Sequence, residues 1–115
     1  MRRGDIVLVD LDPARSGEAD KRRPAVVVSN DGANVTAERL GRGVETVVPV
    51  TSNVDRVYPF QVRLPADATG LDRDSKAQAE QVRSVAVDRI ATTLGRVPAA
   101  LMSELDDSLR LHLAL

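Results

Sequence analysis

The sequence predicts an α+β domain that is mostly β: a small antiparallel barrel of short strands with a single C-terminal helix. Three observations carry that prediction. Short apolar runs rich in Val and Ile recur along most of the chain, bounded by turn residues, with no βαβ alternation. A helical period is clear in one stretch, where Leu101, Leu105, Leu109 and His112 follow Pro98, with Met102 and Leu113 beside them. At 115 residues, 43% of them apolar, the chain is long enough for one core and one domain, spanning residues 1–115.

Taken in order, Ile6–Leu11 is a strand that Asp12-Pro13 ends. The connection from Pro13 to Arg22 is longer than an ordinary hairpin loop, and long loops often carry function. Ala25–Val28 is a continuous apolar run, as expected of a central strand buried on both faces. Asp31-Gly32 signals a turn, and Ala33–Leu40 forms either a short helix or an irregular excursion. Glu45–Thr51 is a third strand in which Pro49 implies a bulge or an edge position. Tyr58–Leu64 alternates, with Phe60, Val62 and Leu64 on one face and Gln61 and Arg63 on the other. Ala66–Arg73 is a turn-rich loop, Ser75–Ser84 one or two short strands, and Ile90–Val97 a last strand interrupted near Gly95. Pro98 suits the first position of the closing helix.

Composition removes several chemistries. There is no Cys and one His, His112, so disulfides, thiolate catalysis and Cys- or His-based metal clusters are excluded. No apolar stretch reaches membrane-spanning length. The N-terminus runs straight into a strand without a secretory apolar region, so a cytoplasmic protein is expected. Net charge is -1, so an anion site has to be local rather than a basic surface. Of the 16 basic residues 14 are Arg, the side chain whose planar fork suits phosphate or carboxylate, although Arg-favouring codon usage accounts for the bias equally well. With Tyr58 and Phe60 as the aromatics, a base-stacking platform is not expected.

Five places hold residues of chemical interest. Arg23 precedes Pro24 and a buried strand; the proline biases it towards extended geometry and fixes the direction of its side chain, which makes it a candidate anion clamp. The same charge could serve only to keep an apolar strand soluble. Thr51, Ser52 and Asn53 end the third strand, where short hydrogen-bonding side chains either line an oxyanion site or make a turn. Glu18, with Asp20 and Lys21, lies in the long loop and could supply a general base or be a solvated flank. Gln78 and Glu80, together with Lys76, share one strand face, with Gln81 and Arg83 on the other if pairing stays regular; they could read base edges or form an exposed strand face. His112 lies in the apolar register of the helix and reads as a packed or interface residue.

The segments Arg3-Gly4-Asp5-Ile6 through Asp10-Leu11-Asp12-Pro13, Ser16-Gly17-Glu18, Arg23-Pro24-Ala25-Val26-Val27-Val28-Ser29, Val48-Pro49-Val50-Thr51-Ser52, Tyr58-Pro59-Phe60-Gln61-Val62 and Ala79-Glu80-Gln81-Val82-Arg83-Ser84 occur in that order over nearly the whole chain. Together they resemble the MazF/PemK family of toxin endoribonucleases. The resemblance implies an SH3-like barrel of CcdB/PemK type, a homodimer, and cleavage of single-stranded RNA at short sequences without metal or other cofactor. It also implies a cognate antitoxin whose C-terminal tail fills the RNA groove. Family active-site positions fall on Arg23 and Thr51, and the family's loop carboxylate on Glu18. Some members carry a His before the Arg-Pro pair; position 22 is Arg here, which removes an imidazole proton shuttle. Ser29, Asn30, Ser52, Asn53, Gln78 and Gln81 are the expected base readers, and Leu109, Leu111, Leu113 and Leu115 surround the helix end in a way that implies a partner surface. A gyrase-poisoning toxin of the CcdB type is the competing reading, but its activity is associated with a Trp-containing C-terminus, and this chain ends Leu113-Ala114-Leu115. A catalytically inactive RNA- or protein-binding module is the other.

Overall fold

A central strand flanked by apolar neighbours on both sides organises the molecule, for which a computed structural model describes residues 1–11 and 22–115. The elements are β1 (Asp5–Asp10), β2 (Arg22–Val27), α1 (Asp31–Leu40), β3 (Val44–Thr51), β4 (Gln61–Leu64), α2 (Ala66–Thr69), β5 (Ser75–Gln78), β6 (Arg83–Ala86), β7 (Ile90–Arg96) and α3 (Ala99–Leu113), with 3₁₀ turns at Ala79–Gln81 and Val87–Arg89. The seven strands among the described residues form one antiparallel sheet ordered β4-β5-β3-β2-β1-β7, with β6 also paired to β3.

Strand β3 pairs with β2 along one side and changes partner along the other, from β6 over Val44–Val47 to β5 over Val50–Thr51. The Val28 amide donates to the Thr46 carbonyl, so residues 46, 48 and 50 turn their backbone groups towards β2. Pro49 turns the other way, into the gap between β6 and β5, where a missing N–H breaks no ladder. The strand is therefore central, and the expected bulge or edge is instead a change of partners.

Alternation buries both faces of this sheet. Ile6, Val26, Val48 and Val50 join Val62, Leu64, Ala77, Val97 and the wholly buried Leu105 of α3 in one cluster. Val7, Val9, Leu11, Ala25, Val27, Val47 and Val85 make the other. The run at Ala25–Val27 is thus buried on both sides, as its composition indicates.

The sheet curls until its ends meet. Strand β7 lies at one end of the order, and β4, followed directly by α2, at the other. Yet a Cβ added to Gly95 of β7 would lie 2.2 Å from the Thr69 carbonyl oxygen of α2, so only glycine permits this backbone approach. Residue 94 is the extra residue of a bulge, since Ile6 opposes Gly95 while Val7 opposes Thr93. The interruption expected near Gly95 is this bulge.

Several local expectations change. Ala33–Leu40 belongs to a full helix: the Asn30 side chain accepts the Ala33 N–H at 2.8 Å, and Gly41 closes the helix at φ 66°. The fourth strand starts only at Gln61, because Tyr58–Phe60 precede it in a turn where the two rings stack with centroids 5.3 Å apart. Gln61 faces inward: it accepts the Tyr58 N–H at 3.1 Å and donates to Glu80 at 2.6 Å. Ser75–Ser84 is split by the 3₁₀ turn, so the regular alternation expected from Lys76 to Arg83 does not hold. Pro98 is the N-cap of α3, one position before its expected place. His112 is exposed within this chain rather than packed. No helix among the described residues is long and apolar enough to cross a membrane.

Candidate active site

Arg23 stands opposite Val9 of β1 near the start of β2. On its other side, Ala25 opposes Pro49; extending that register by two residues sets Arg23 across from Thr51. The two residues reach one open cleft of about 340 Å³, lined also by Pro24, Val50 and Ser52. A second segment, Gly70–Arg73 with Ser75, and Leu94 complete the lining among the described residues. The cleft therefore sits at the seam of the barrel, where two strand ends, the β7 bulge and the loop after α2 converge.

Backbone and side-chain bonds hold each wall. Thr51 ends β3, and its Oγ1 accepts the Asn53 N–H at 3.3 Å, while Asn53 Oδ1 accepts the Asp55 N–H at 3.2 Å. Lys76, opposite Thr51 in β5 and buried, donates from Nζ to the Arg56 carbonyl at 2.6 Å and straps the 52–60 loop to the sheet. On the far wall, the Asp74 carboxylate accepts the Ala66 N–H at 2.8 Å and pairs with Arg63 at 3.0 Å. That backbone donor, and Arg63 after it, hold the Asp74 carboxyl below its ordinary range. Ser75 Oγ donates to the Arg73 carbonyl at 3.0 Å.

Of the residues singled out in the sequence, Arg23, Thr51 and Ser52 come together in the cleft. Asn53 adjoins it, with its carbonyl engaged in the turn. Ser29 and Asn30 lie at the start of α1 and do not line the cleft. Ser29 Oγ donates to Asn34 Oδ1 and accepts the Thr46 N–H at 3.0 Å, while Asn30 caps the helix. Gln78 opposes Gln61 across β5 and β4, and Gln81 is exposed on the 3₁₀ turn; neither lines the cleft. Glu18 lies outside the described residues. Sequence reasoning missed the wall from Gly70 to Arg73. Its signal was the charged triplet Asp72-Arg73-Asp74, which reads as nothing more than a polar turn until β5 places it beside Thr51.

Chemically, the cleft offers two guanidiniums, Arg23 and Arg73, two hydroxyls at a strand end and a carboxylate, Asp72, beside apolar Val50, Leu71 and Leu94. That set suits a phosphate-bearing chain: planar donors for the anion, with a polar rim to orient it. Fold and cleft together define a small β-barrel protein with an arginine-bearing cleft at its seam. A family model described as "PemK-like, MazF-like toxin of type II toxin-antitoxin system" matches residues 2–113. Endoribonuclease MazF9 of Mycobacterium tuberculosis is 65% identical over 115 residues, covering 100% of this chain and 98% of that protein. Endoribonuclease EndoA of Bacillus subtilis is 28% identical over 116 residues, covering 100% and 96%. Among solved structures, a MazE-MazF complex from Deinococcus radiodurans superimposes with a TM-score of 0.79 at 30% identity, covering 100% of this chain and 96% of the matched one. The chain belongs to the PemK-like, MazF-like family of type II toxins.

Proposed function

We propose that this chain is the toxin of a type II toxin–antitoxin pair, and that it cuts single-stranded RNA at a short recognition sequence without a metal ion. The observation that carries the reading is the convergence of Arg23 and Thr51 on one cleft, in a chain 65% identical along its length to a named endoribonuclease. In the reaction, the RNA 2′-oxygen attacks the adjacent phosphorus, the O2′–P bond forms and the P–O5′ bond breaks. The 2′-hydroxyl proton passes to a base and the departing O5′ gains one, leaving a 2′,3′-cyclic phosphate and a 5′-hydroxyl. The nucleophile is already on the substrate, so the protein's task is alignment and charge stabilisation. Arg23 takes the phosphorane charge through a bidentate contact, and Thr51 donates to a non-bridging oxygen. Arg is a poor proton acceptor, and Glu18 is assigned the base.

Ser52 and Asn53, on the rim, are the base readers nearest the cleft; Ser29, Asn30, Gln78 and Gln81 would act on bases further along the strand. The MazE-MazF complex among the 30%-identical relatives supports an antitoxin partner, whose C-terminal tail is assigned to the RNA groove. The exposed Leu111, Leu113 and Leu115 support a homodimer formed through the α3 end, and the cytoplasm is the compartment where such a target is met.

Incubating the purified chain with a long single-stranded RNA in EDTA should give discrete cuts with 5′-hydroxyl ends. Arg23→Ala should lower the rate by about 100-fold or more while leaving the thermal transition unchanged. Intact RNA with the wild-type chain would replace this reading with a binding module, and substantial cleavage by Arg23→Ala would remove Arg23 from the mechanism.

A further inference from the structure

Arg73 lines the same cleft as Arg23 and Thr51, from the loop between α2 and β5. We propose that Arg73 is a second backbone-phosphate contact for the RNA strand, acting from the loop wall while Arg23 acts from the strand wall; this rests on the endoribonuclease reading above.

Three observations support it. Among the described residues, the charged members of the lining are Arg23, Asp72 and Arg73. Without Arg73 these balance to zero, in a chain whose net charge of -1 supplies no background attraction for RNA. With Arg73 the described lining is cationic. Next, the backbone under Arg73 is fixed: Ser75 Oγ holds its carbonyl, the neighbouring Asp74 is tied to Ala66 and Arg63, and Gly70 at φ 85° sets the start of the loop. Finally, the side chain has no ion pair or hydrogen bond among the described residues. Arg42 is likewise without a partner among the described residues; Arg73 differs in lining the cleft from a braced loop. A partnerless guanidinium on a rigid backbone beside a reaction site is preorganised for an anion.

A phosphate contact of this kind strengthens binding of substrate and transition state alike, so its loss should raise KM more than it lowers kcat. It should also reduce the salt dependence of binding, because each neutralised phosphate of a single strand contributes about 0.7 to the slope of log K against log salt.

The test uses the full chain and a 2′-O-methyl oligonucleotide spanning a cut site mapped with the wild-type protein. Arg73→Gln should bind this probe about three- to tenfold more weakly, with the salt slope smaller by about 0.7. Arg73→Lys should recover the slope, because it restores the charge without the fork. Arg42→Gln, which removes an equal charge outside the cleft, should leave both affinity and slope as in the wild type. Equal affinity and slope for Arg73→Gln and wild type, with RNA still cut, would overturn the inference and leave the endoribonuclease reading standing. An equal loss in Arg42→Gln would overturn it too, by reducing the effect to net charge. A wild-type chain that cuts no RNA would overturn the parent reading and this one together.

Discussion

Glu45 is wholly buried in β3, and neither of its oxygens finds a hydrogen-bond donor among the described residues. Burial, and then the proton it can share with Glu38, push its carboxyl from an ordinary value of 4.5 up to about 7. Glu38 moves the opposite way, held down first by that same hydrogen bond and further by the Met1 ammonium 2.5 Å away. Because the folded state holds the Glu45 proton more tightly than the unfolded chain, its contribution is complete below pH 4.5 and is lost as pH rises through 7. Glu45→Gln should therefore match the wild type near pH 5 and exceed it at pH 8. The gain should be on the order of 3 kcal/mol at most, read as a higher denaturation midpoint in urea titrations at the two pH values. At the candidate site, Thr51→Ala should slow RNA cleavage by about 10- to 100-fold with binding largely retained, in single-turnover assays, because it removes one neutral donor rather than a charge. Residues of this kind differ in how openly the sequence announces them. Arg23 was legible because a proline and a β-branched run fix where its backbone sits. Gln61 was not, because alternation assigns every polar side chain to solvent, and its partner Glu80 lies on a turn that alternation cannot foresee.

The apolar runs within β1, β2 and β3, such as Ala25–Val27 and Val47–Val50, were visible from composition because both faces of those runs are buried. The segment Ser75–Ser84 was not, because its geometry depends on β3, which offers β5 two paired residues before its end. The chain must then leave that pairing and rejoin β3 further along as β6, and the 3₁₀ turn makes the crossing. The turn residues of α2 posed the same difficulty: they read as a loop, yet they pack against β7 from the opposite end of the sheet. Gly95→Ala tests that contact. The added methyl would meet the Thr69 carbonyl oxygen and carbonyl carbon, both backbone atoms that cannot rotate away. A loss of about 1–3 kcal/mol is expected, with cleavage falling more than stability alone explains, because Leu94 and Gly70 on either side of the contact line the cleft. Thermal melts and initial rates measured at a temperature where the variant stays folded would separate the two effects.

For the molecule as a whole, the end of α3 carries more apolar surface than one chain covers: Leu111 is 59% exposed, Leu113 49% and Leu115 86%. The proposed homodimer predicts that replacing Leu111 and Leu113 together by Glu shifts sedimentation from dimer to monomer at micromolar concentration. The fold of the isolated chain should persist, because Leu105, the α3 anchor in the core, is untouched. Barrel class and helix were readable from the sequence; the cleft was not, since it is made by segments brought together only when the sheet curls. That closure bears on when the protein becomes active during its own synthesis. The cleft takes residues from β2, β3, the 70–75 loop and residue 94, and β7 is held by pairing with β1 at the far end of the chain. On the ribosome Arg23 and Arg73 are made well before β7, so the seam that gathers them into one cleft forms only after β7 has emerged and docked on β1.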